Sequence, residues 1–143
     1  MKQIVLISGG FDPIHSGHIK LIQDASNYGS IVVLLNSDQW LRRKKGKEFL
    51  NFDERKIIMG SIKGVIEVLS FDDTDNTCIN GIKESIIKYP SSIIKFANGG
   101  DRNNHTTPEV EFCSNNKVET IWGIGGNNKI NSSSWILKKW NEK

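Results

Sequence analysis

Cysteine is scarce in this chain of 143 residues, which has only Cys78 and Cys113. The two lie far apart and show no metal-ligand spacing, which disfavours a disulfide scaffold and predicts reduced thiols in a cytosolic protein. No apolar stretch approaches the ~18 residues that a membrane-spanning helix needs, and no signal peptide precedes the first predicted strand. We therefore expect a cytoplasmic protein without a membrane partner.

The chain also lacks a large excess of charge of one sign, because its formal net charge is only +3. A balance this mild is compatible with an anionic small-molecule substrate, but it does not indicate a nucleic-acid partner. Apolar residues make up 37% of the chain and charged residues 24%, which excludes a disordered protein. Without repeats or linkers, the sequence predicts one domain over residues 1–143 that buries roughly two-thirds of its unfolded surface.

Apolar runs alternate with amphipathic segments along the chain. The runs are apolar along their length, which is typical of parallel strands that are covered on both faces. The sequence therefore predicts an α/β fold: a single Rossmann-like domain with a five-stranded parallel sheet and helices on both faces. Ligands of such sheets bind outside the carboxyl ends of the strands. The predicted strands are 3–8, 30–38, 65–71, 92–100 and 118–126, and the predicted helices are 17–28, 53–62, 76–89, 108–116 and 132–141.

The stretch GGFDPIHSGH (9–18) follows the first predicted strand and therefore lies at that edge. Gly9 and Gly10 would let the backbone pass close to a bound group. The helix that begins at the end of the stretch offers unpaired N–H groups to a phosphate. His15 and His18 are three residues apart at the start of this helix, so two ring N–H donors can point at one anionic centre.

A family resemblance rests on this stretch and on two others. DPIHSGH (12–18) matches the Asp-x-x-His-x-Gly-His signature of the cytidylyltransferase-like nucleotidyltransferases, and the chain resembles that family. KGKEFLNFDERKIIMGSI (45–62) is similar to the Lys-Gly-Lys and Glu-Arg-Lys segment of glycerol-3-phosphate cytidylyltransferases. NGGD (98–101) resembles their Gly-Asp segment after the fourth strand, so the resemblance spans nearly the whole chain.

The resemblance implies a reaction and its participants. A phosphate oxygen of a small phosphorylated metabolite attacks the α-phosphorus of CTP or ATP in line, and pyrophosphate leaves without a covalent enzyme intermediate. Catalysis of such a displacement consists mostly of positioning and neutralisation of growing negative charge. The resemblance further implies Mg²⁺ bound with the triphosphate, a homodimer, and no nucleic-acid partner.

The resemblance also assigns the site residues. His15 and His18 would hold the triphosphate around the scissile bond, Lys45 or Lys47 would bind phosphates, and Arg55 would reach the acceptor. His15, His18, Lys45 and Arg55 are thus the candidate catalytic residues. The candidate nucleotide-binding residues are the two histidines with Gly9, Gly10, Phe11, Asp12, Gly17, Lys45, Lys47, Gly99, Gly100, Asp101, Ser132, Ser133 and Ser134, of which the serines would cap the last helix toward the β- and γ-phosphates.

One segment departs from the cytidylyltransferase pattern. The family's Arg-Thr-Glu-Gly-Ile-Ser-Thr-Thr stretch is replaced by GGNNKINSSS (125–134), which keeps the serine run without the arginine. Lys129 is a candidate replacement, although it lacks the bidentate fork of arginine. The adenylyltransferase domain of the ADP-heptose-forming enzymes also lacks that arginine and carries Asn-Ser-Asp and Gly-Gly-Asp, both present here at 36–38 and 99–101. CTP is placed ahead of ATP, and both stay open.

Several of these residues also have structural or non-specific interpretations. His15 and His18 have the spacing of a zinc pair, but no third His or Cys lies near them in sequence, and a merely structural turn would favour Asn or Ser. The basic run RRKKGK (42–47) has the composition of a solvated or nucleic-acid-contacting segment. Arg55 could form a surface ion pair with its helical neighbours Asp53 or Glu54.

Two further groups are interpreted as structural. Asp72, Asp73 and Asp75 are predicted to form a solvated turn that caps the next helix. The tryptophans Trp122, Trp135 and Trp140 are predicted to be core or dimer contacts. Two alternative functions also stay open: a nucleotide-binding module without turnover, and a nucleic-acid binder that uses the basic run.

Overall fold

A computed structural model describes residues 2–98, 107–125 and 132–142. Within this part, five parallel strands form one sheet in the order β3-β2-β1-β4-β5. The five-stranded parallel sheet predicted from the sequence is therefore confirmed. The strands are β1 (Gln3–Gly9), β2 (Ser30–Leu35), β3 (Val65–Leu69), β4 (Ile93–Asn98) and β5 (Glu119–Trp122).

Helices cover both faces of the sheet, as predicted. One apolar core lies under α1 and α3, where Ile22 and Met59 pack on the sheet. The second core lies under α4 and α5, where Ile82 and Cys113 do the same. The helices of the described part are α1 (Ser16–Ala25), α2 (Asp38–Lys45), α3 (Phe52–Gly60), α4 (Ile79–Lys88), α5 (Pro108–Asn115) and α6 (Ser133–Asn141).

The central strand β1 explains why the first apolar run is uninterrupted. Val5 and Ile7 point into one core, while Ile4 and Leu6 point into the other, and all four are at most 1% exposed. Burying an aliphatic side chain of this size stabilises a fold by roughly 1.5–3 kcal/mol. Strand β1 is thus a rigid support that fixes where the chain emerges at its carboxyl end.

Two of the boundaries that differ from the predictions have local reasons. The strand predicted over 30–38 ends at Leu35, because Ser37 accepts the N–H of Trp40 and begins α2, a helix that the sequence analysis missed. The helix predicted over 17–28 ends at Ala25. Gly29 then brings the chain so close to β1 that a Cβ there would lie 2.6 Å from the Gln3 carbonyl oxygen.

The two cysteines are free and buried, which agrees with the absence of a disulfide scaffold. Burial raises the pKa of Cys78 to about 12 and that of Cys113 to about 11, so neither thiol is activated. The core position predicted for the tryptophans is wrong at two of them, since Trp135 is 52% and Trp140 is 79% exposed. Their role as dimer contacts stays a prediction. No helix in the described ranges has the length and apolarity to cross a bilayer.

Candidate functional site

The loop between β1 and α1 is the place where the predicted site residues converge. It leaves the carboxyl end of the central strand. Lys45, at the end of α2, donates a hydrogen bond to the carbonyl of Asp12 at 2.8 Å. Ser133, in the first turn of α6, donates to the carbonyl of Pro13 at 2.7 Å. Three elements far apart in sequence therefore meet at one short loop.

His15 and His18 form a stacked pair on this loop. Their ring centroids are 3.8 Å apart and the rings are 27° from parallel. Nδ1 of His15 accepts the backbone N–H of Gly17 at 3.0 Å, and Nδ1 of His18 accepts the backbone N–H of His15 at 3.2 Å. An Nδ1 that accepts a hydrogen bond carries no proton, so in each neutral ring the proton is on Nε2. Both rings are therefore fixed as Nε2–H donors.

The same contacts give the histidines a structural role in the turn, which their residue type had not indicated. His15 is the N-cap of α1, and the two side chains complete a capping box with each other's backbone. An imidazole Nδ1 lies near the position of the side-chain oxygen of Asn, which explains why it serves as a helix cap. The N–H of Gly17, expected to be unpaired and to face a phosphate, instead donates to His15.

His18 lies in a sheltered environment. The Phe11 ring meets it edge-on with centroids 4.8 Å apart. Burial is the main cause that lowers the pKa of His18 from 6.5 to about 4, and Coulombic interactions with His15 and Lys45 add to it. The ring is consequently neutral at neutral pH and offers an N–H donor rather than a positive charge.

The residues before Pro13 make packing contacts and hydrogen bonds that support the loop. A Cβ on Gly9 would lie 3.2 Å from the Phe11 ring, and one on Gly10 would lie 2.8 Å from Leu41. The carboxylate of Asp12 is buried and accepts the N–H groups of two residues in the loop after α2, at 2.6 and 2.8 Å. These contacts give each glycine a packing reason of its own, because a side chain there would collide with Phe11 or Leu41. The approach of a ligand to the backbone of Gly9 and Gly10 stays a prediction.

Only part of the basic run reaches the loop. Lys45 is half-buried, and burial lowers its pKa although the charge of Asp12 opposes this. Lys47 is exposed. Arg42 pairs with Glu48 at 2.8 Å. Among the predicted lysines, Lys45 is thus the one that the structure places against the histidine loop.

Arg55 is buried inside the domain rather than on its surface. Its side chain is 0% exposed and pairs with Asp38, so the interpretation as a surface ion-pair partner of Asp53 or Glu54 is wrong. Its contact with the acceptor stays a prediction. It donates to the carbonyls of Leu50, Gly10 and Asn36 at 2.8–3.0 Å and to the carboxylate of Asp38 at 2.6 Å. Four of the five N–H donors of the guanidinium are therefore bound to the protein itself.

Asp73 differs from the two aspartates beside it, a difference that the sequence pattern does not show. Asp72 and Asp75 are exposed and accept from Thr74 and Thr77, as the predicted solvated turn requires. The predicted cap on the next helix is wrong, because α4 begins after Cys78 without a side-chain cap. Asp73 is instead 3% exposed. Its carboxylate accepts from the Asn36 side chain and from the backbone and hydroxyl of Ser37.

The serines before the last helix differ in position. Ser132 is buried and accepts the N–H of Trp135 at 3.0 Å, which confirms the predicted N-cap. Ser133 binds the Pro13 carbonyl, and Ser134 is exposed. The predicted residues Gly99, Gly100 and Asp101, and the candidate replacement Lys129, lie outside the described residues.

Few side chains of the described residues could bind a metal ion at this loop. In the described part of the chain, no group of three or more His, Cys, Asp or Glu side chains could hold a metal ion. The carboxylate of Asp12, the acidic group of the loop, is occupied by two backbone N–H groups. These residues do not form a metal site of their own.

Comparisons with known proteins agree with this geometry. The protein-family model described as cytidylyltransferase-like matches residues 6–132. The bifunctional protein HldE of Geobacter metallireducens is 33% identical over 152 aligned residues, which cover 99% of this chain and 28% of that protein. HldE of Geobacter sulfurreducens is 31% identical with the same coverage of both chains. The chain thus spans about 28% of the length of these curated relatives.

Solved structures show the same fold at lower identity. A lipopolysaccharide core biosynthesis protein of Thermoplasma volcanium superposes with a TM-score of 0.63 at 20% identity, over 90% of this chain and 99% of that one. A protein of Vibrio parahaemolyticus described as a nicotinate-nucleotide adenylyltransferase gives 0.62 at 17% identity, over 96% and 86%. The predicted fold class is confirmed by these two neighbours.

Proposed function

Because this chain belongs to the cytidylyltransferase-like family, we propose that it transfers a nucleotidyl group from a nucleoside triphosphate to the phosphate of a small metabolite. A bond forms between an acceptor phosphate oxygen and the α-phosphorus. The bond from the α-phosphorus to the bridging oxygen breaks, and pyrophosphate leaves with the electron pair. The observation that carries this proposal is the stacked His15–His18 pair at the carboxyl end of the central strand.

The histidine pair suits charge stabilisation at phosphorus. Each ring is fixed as an Nε2–H donor by the bond that its Nδ1 accepts. Negative charge grows on the phosphoryl oxygens as pyrophosphate leaves, and preorganised donors stabilise that charge without reorganising. His18 is neutral and is not required to transfer a proton. On this proposal both rings donate to oxygens around the scissile bond.

Positive charge and helix termini complete the anion site. Lys45 is already at the loop and supplies a cation beside the histidines. Helices α1 and α6 both begin there, and helix N-termini favour anions. Ser133 keeps the start of α6 against the loop, which is consistent with the predicted approach of this helix to the β- and γ-phosphates.

Mg²⁺ is proposed to arrive with the triphosphate. Because the described residues form no metal site of their own, its ligands would be phosphate oxygens and water. Its chemistry would be to neutralise part of the triphosphate charge.

The donor base and the acceptor belong to the proposal as well. CTP stands ahead of ATP by the resemblance to glycerol-3-phosphate cytidylyltransferases. The Asn-Ser-Asp residues at 36–38 favour ATP and a sugar phosphate, by the resemblance to the ADP-heptose-forming type. The predicted homodimer is part of the same proposal.

A pyrophosphate-release screen tests the function. The four ribonucleoside triphosphates are combined with sugar phosphates, glycerol 3-phosphate and amino-alcohol phosphates in the presence of Mg²⁺. We expect one pair to release pyrophosphate. His18→Asn keeps an acceptor for the His15 N–H but removes the Nε2 donor, so it should lower the rate by ~10² to 10⁴. His18→Gln places an amide N–H near the Nε2 position and should retain more activity.

Two outcomes would replace this function. Tight triphosphate binding without pyrophosphate release under any acceptor would support a binding module. Steeply salt-dependent binding of DNA or RNA that survives His15→Ala and His18→Ala would support a nucleic-acid binder.

A further inference from the structure

Two buried charged side chains, Arg55 and Asp73, form hydrogen bonds with the turn 36–38, from which helix α2 begins. Arg55, on α3, donates to the Asn36 carbonyl at 2.8 Å and to the Asp38 carboxylate at 2.6 Å. Asp73, after β3, accepts from the Asn36 amide at 3.1 Å and from the N–H and hydroxyl of Ser37 at 2.8 Å each. The start of α2 is therefore held from two sides by groups outside the histidine loop.

Asp73 also holds the next turn of the same helix. Arg43 donates to the Asp73 carbonyl at 2.8 Å, and its guanidinium lies 3.8 Å from the Asp73 carboxylate. Arg43 further donates to the side chain of Asn76 in the same loop, at 3.2 and 3.3 Å. The loop after β3 thus fixes both the position of the helix start and the direction of its axis.

The direction of α2 matters because Lys45 lies at its far end. Eight residues at 1.5 Å rise place Lys45 about 12 Å along the axis from Ser37. A tilt of about 10° at Ser37 would displace Lys45 by about 2 Å over that length. Lys45 donates to the Asp12 carbonyl at 2.8 Å, a contact that such a displacement would break.

We propose that Asp73 is a positioning residue for anion binding: through Ser37 and Arg43 it aims helix α2 so that Lys45 reaches the histidine loop. Asp73 itself touches no substrate. The proposal rests on the proposed function in taking the anion to be the triphosphate of a nucleotide. The loop after β3 would thus affect phosphate binding although none of its residues lies in the histidine loop.

The Asp73→Asn variant is a near-isosteric test. It replaces one carboxylate oxygen, which accepts from Ser37 or Asn36, by an NH₂ group that cannot accept. It also removes the charge that faces Arg43. The matched control is Asp72→Asn, next to it in sequence. Asp72 is exposed, and its Oδ1 accepts from the N–H and hydroxyl of Thr74, a role that Asn also fills.

The experiment is a double-mutant cycle with inorganic tripolyphosphate as the probe. Calorimetry gives the dissociation constants of the wild type, Asp73→Asn, Lys45→Ala and the double variant, each checked for folding by circular dichroism. We expect Lys45→Ala and Asp73→Asn each to weaken binding by about tenfold. The double variant should bind no more weakly than Lys45→Ala alone, because residues that act through each other are non-additive. Asp72→Asn should bind like the wild type.

Contrary results are distinguishable. Wild-type affinity in folded Asp73→Asn would overturn the proposal, and so would single effects that multiply in the double variant. Should Asp73→Asn not fold, Ser37→Ala replaces it, because this variant removes one of the hydrogen bonds to the carboxylate. A double-mutant cycle of Ser37→Ala with Lys45→Ala then shows whether the two effects on binding are non-additive. Absence of tripolyphosphate binding by the wild type would also overturn it. Binding with the expected coupling, but no pyrophosphate release from any substrate pair, would refute the enzyme function alone.

Discussion

The hydroxyl of Ser133 donates a hydrogen bond to the carbonyl of Pro13 at 2.7 Å, across 120 residues of sequence. The bond joins the first turn of α6 to the loop that carries the histidine pair. None of the residues of α6, all of which are described, is buried. The attachment of this helix therefore depends on a small number of contacts, of which this bond is one.

Ser133→Ala should loosen α6 without unfolding the sheet. The change removes a hydrogen bond worth about 0.5–1.5 kcal/mol. The opening free energy of the α6 amides should fall by about that amount in native-state hydrogen exchange, while amides of β1 keep theirs. Ser134→Ala is the matched control, since Ser134 is exposed. Equal losses in the two variants would show that the Pro13 contact does not hold the helix.

Arg55→Leu should destabilise the whole domain. The change leaves the Asp38 carboxylate and three carbonyls without a donor. A buried acceptor that loses its hydrogen bond costs about 1–3 kcal/mol. Asp38 is 25% exposed and partly hydrated, so we expect a total loss of about 3–5 kcal/mol. Urea denaturation of Arg55→Leu and of the control Lys56→Leu measures the effect. Lys56 is exposed, so its variant should stay within about 0.5 kcal/mol of the wild type.

The same pair of variants separates the two roles considered for Arg55. If Arg55→Leu kept wild-type stability but lost pyrophosphate release, Arg55 would be the direct contact to the acceptor that the family resemblance implies. Arg55→Lys adds a second comparison, because lysine keeps the charge but has no planar fork to reach several acceptors at once. We expect Arg55→Lys to lie between the wild type and Arg55→Leu in stability.

The sheet was predictable from the sequence, whereas α2 was not. Strands buried on both faces leave continuous apolar runs, and these runs are visible without knowledge of any partner. Helix α2 has one buried side chain, Leu41, and four basic residues in its last turns. It therefore shows no apolar stripe, and its second half resembled a solvated basic segment. Its N-cap, Ser37, was the signal that could have found it.

The burial of Asp73 could not be predicted from the sequence for a related reason. Asp72 and Asp75 accept from residues two positions further on, contacts that a local pattern indicates. The partners of Asp73 in the turn 36–38 and in α2 lie 30, 36 and 37 residues away. Three aspartates within four positions look alike in sequence. Only the packing of β2 beside β3 determines that the middle one turns toward Ser37.

The low pKa of His18 predicts how stability depends on pH. The ring of the unfolded chain takes up its proton near the ordinary pKa of 6.5, whereas the folded ring does so at about 4. Between these values the unfolded state binds more protons, so acidification favours unfolding. His18 therefore makes its full contribution to stability above pH 6.5 and loses it progressively as the pH falls to about 4.

His18→Asn isolates this contribution from that of the carboxylates. Asparagine cannot titrate, but it retains an acceptor for the His15 N–H. The difference in free energy of unfolding between the wild type and His18→Asn should therefore shrink between pH 6.5 and 4, as measured by urea denaturation at several pH values. An NMR titration of the His18 ring should have its midpoint near pH 4. Parallel stability curves, or a midpoint at 6.5, would mean that the ring is not sheltered beside Phe11 and Lys45. Such a ring would be a cation in mildly acidic solution, and the neutral N–H donor assigned to phosphate binding would be lost there.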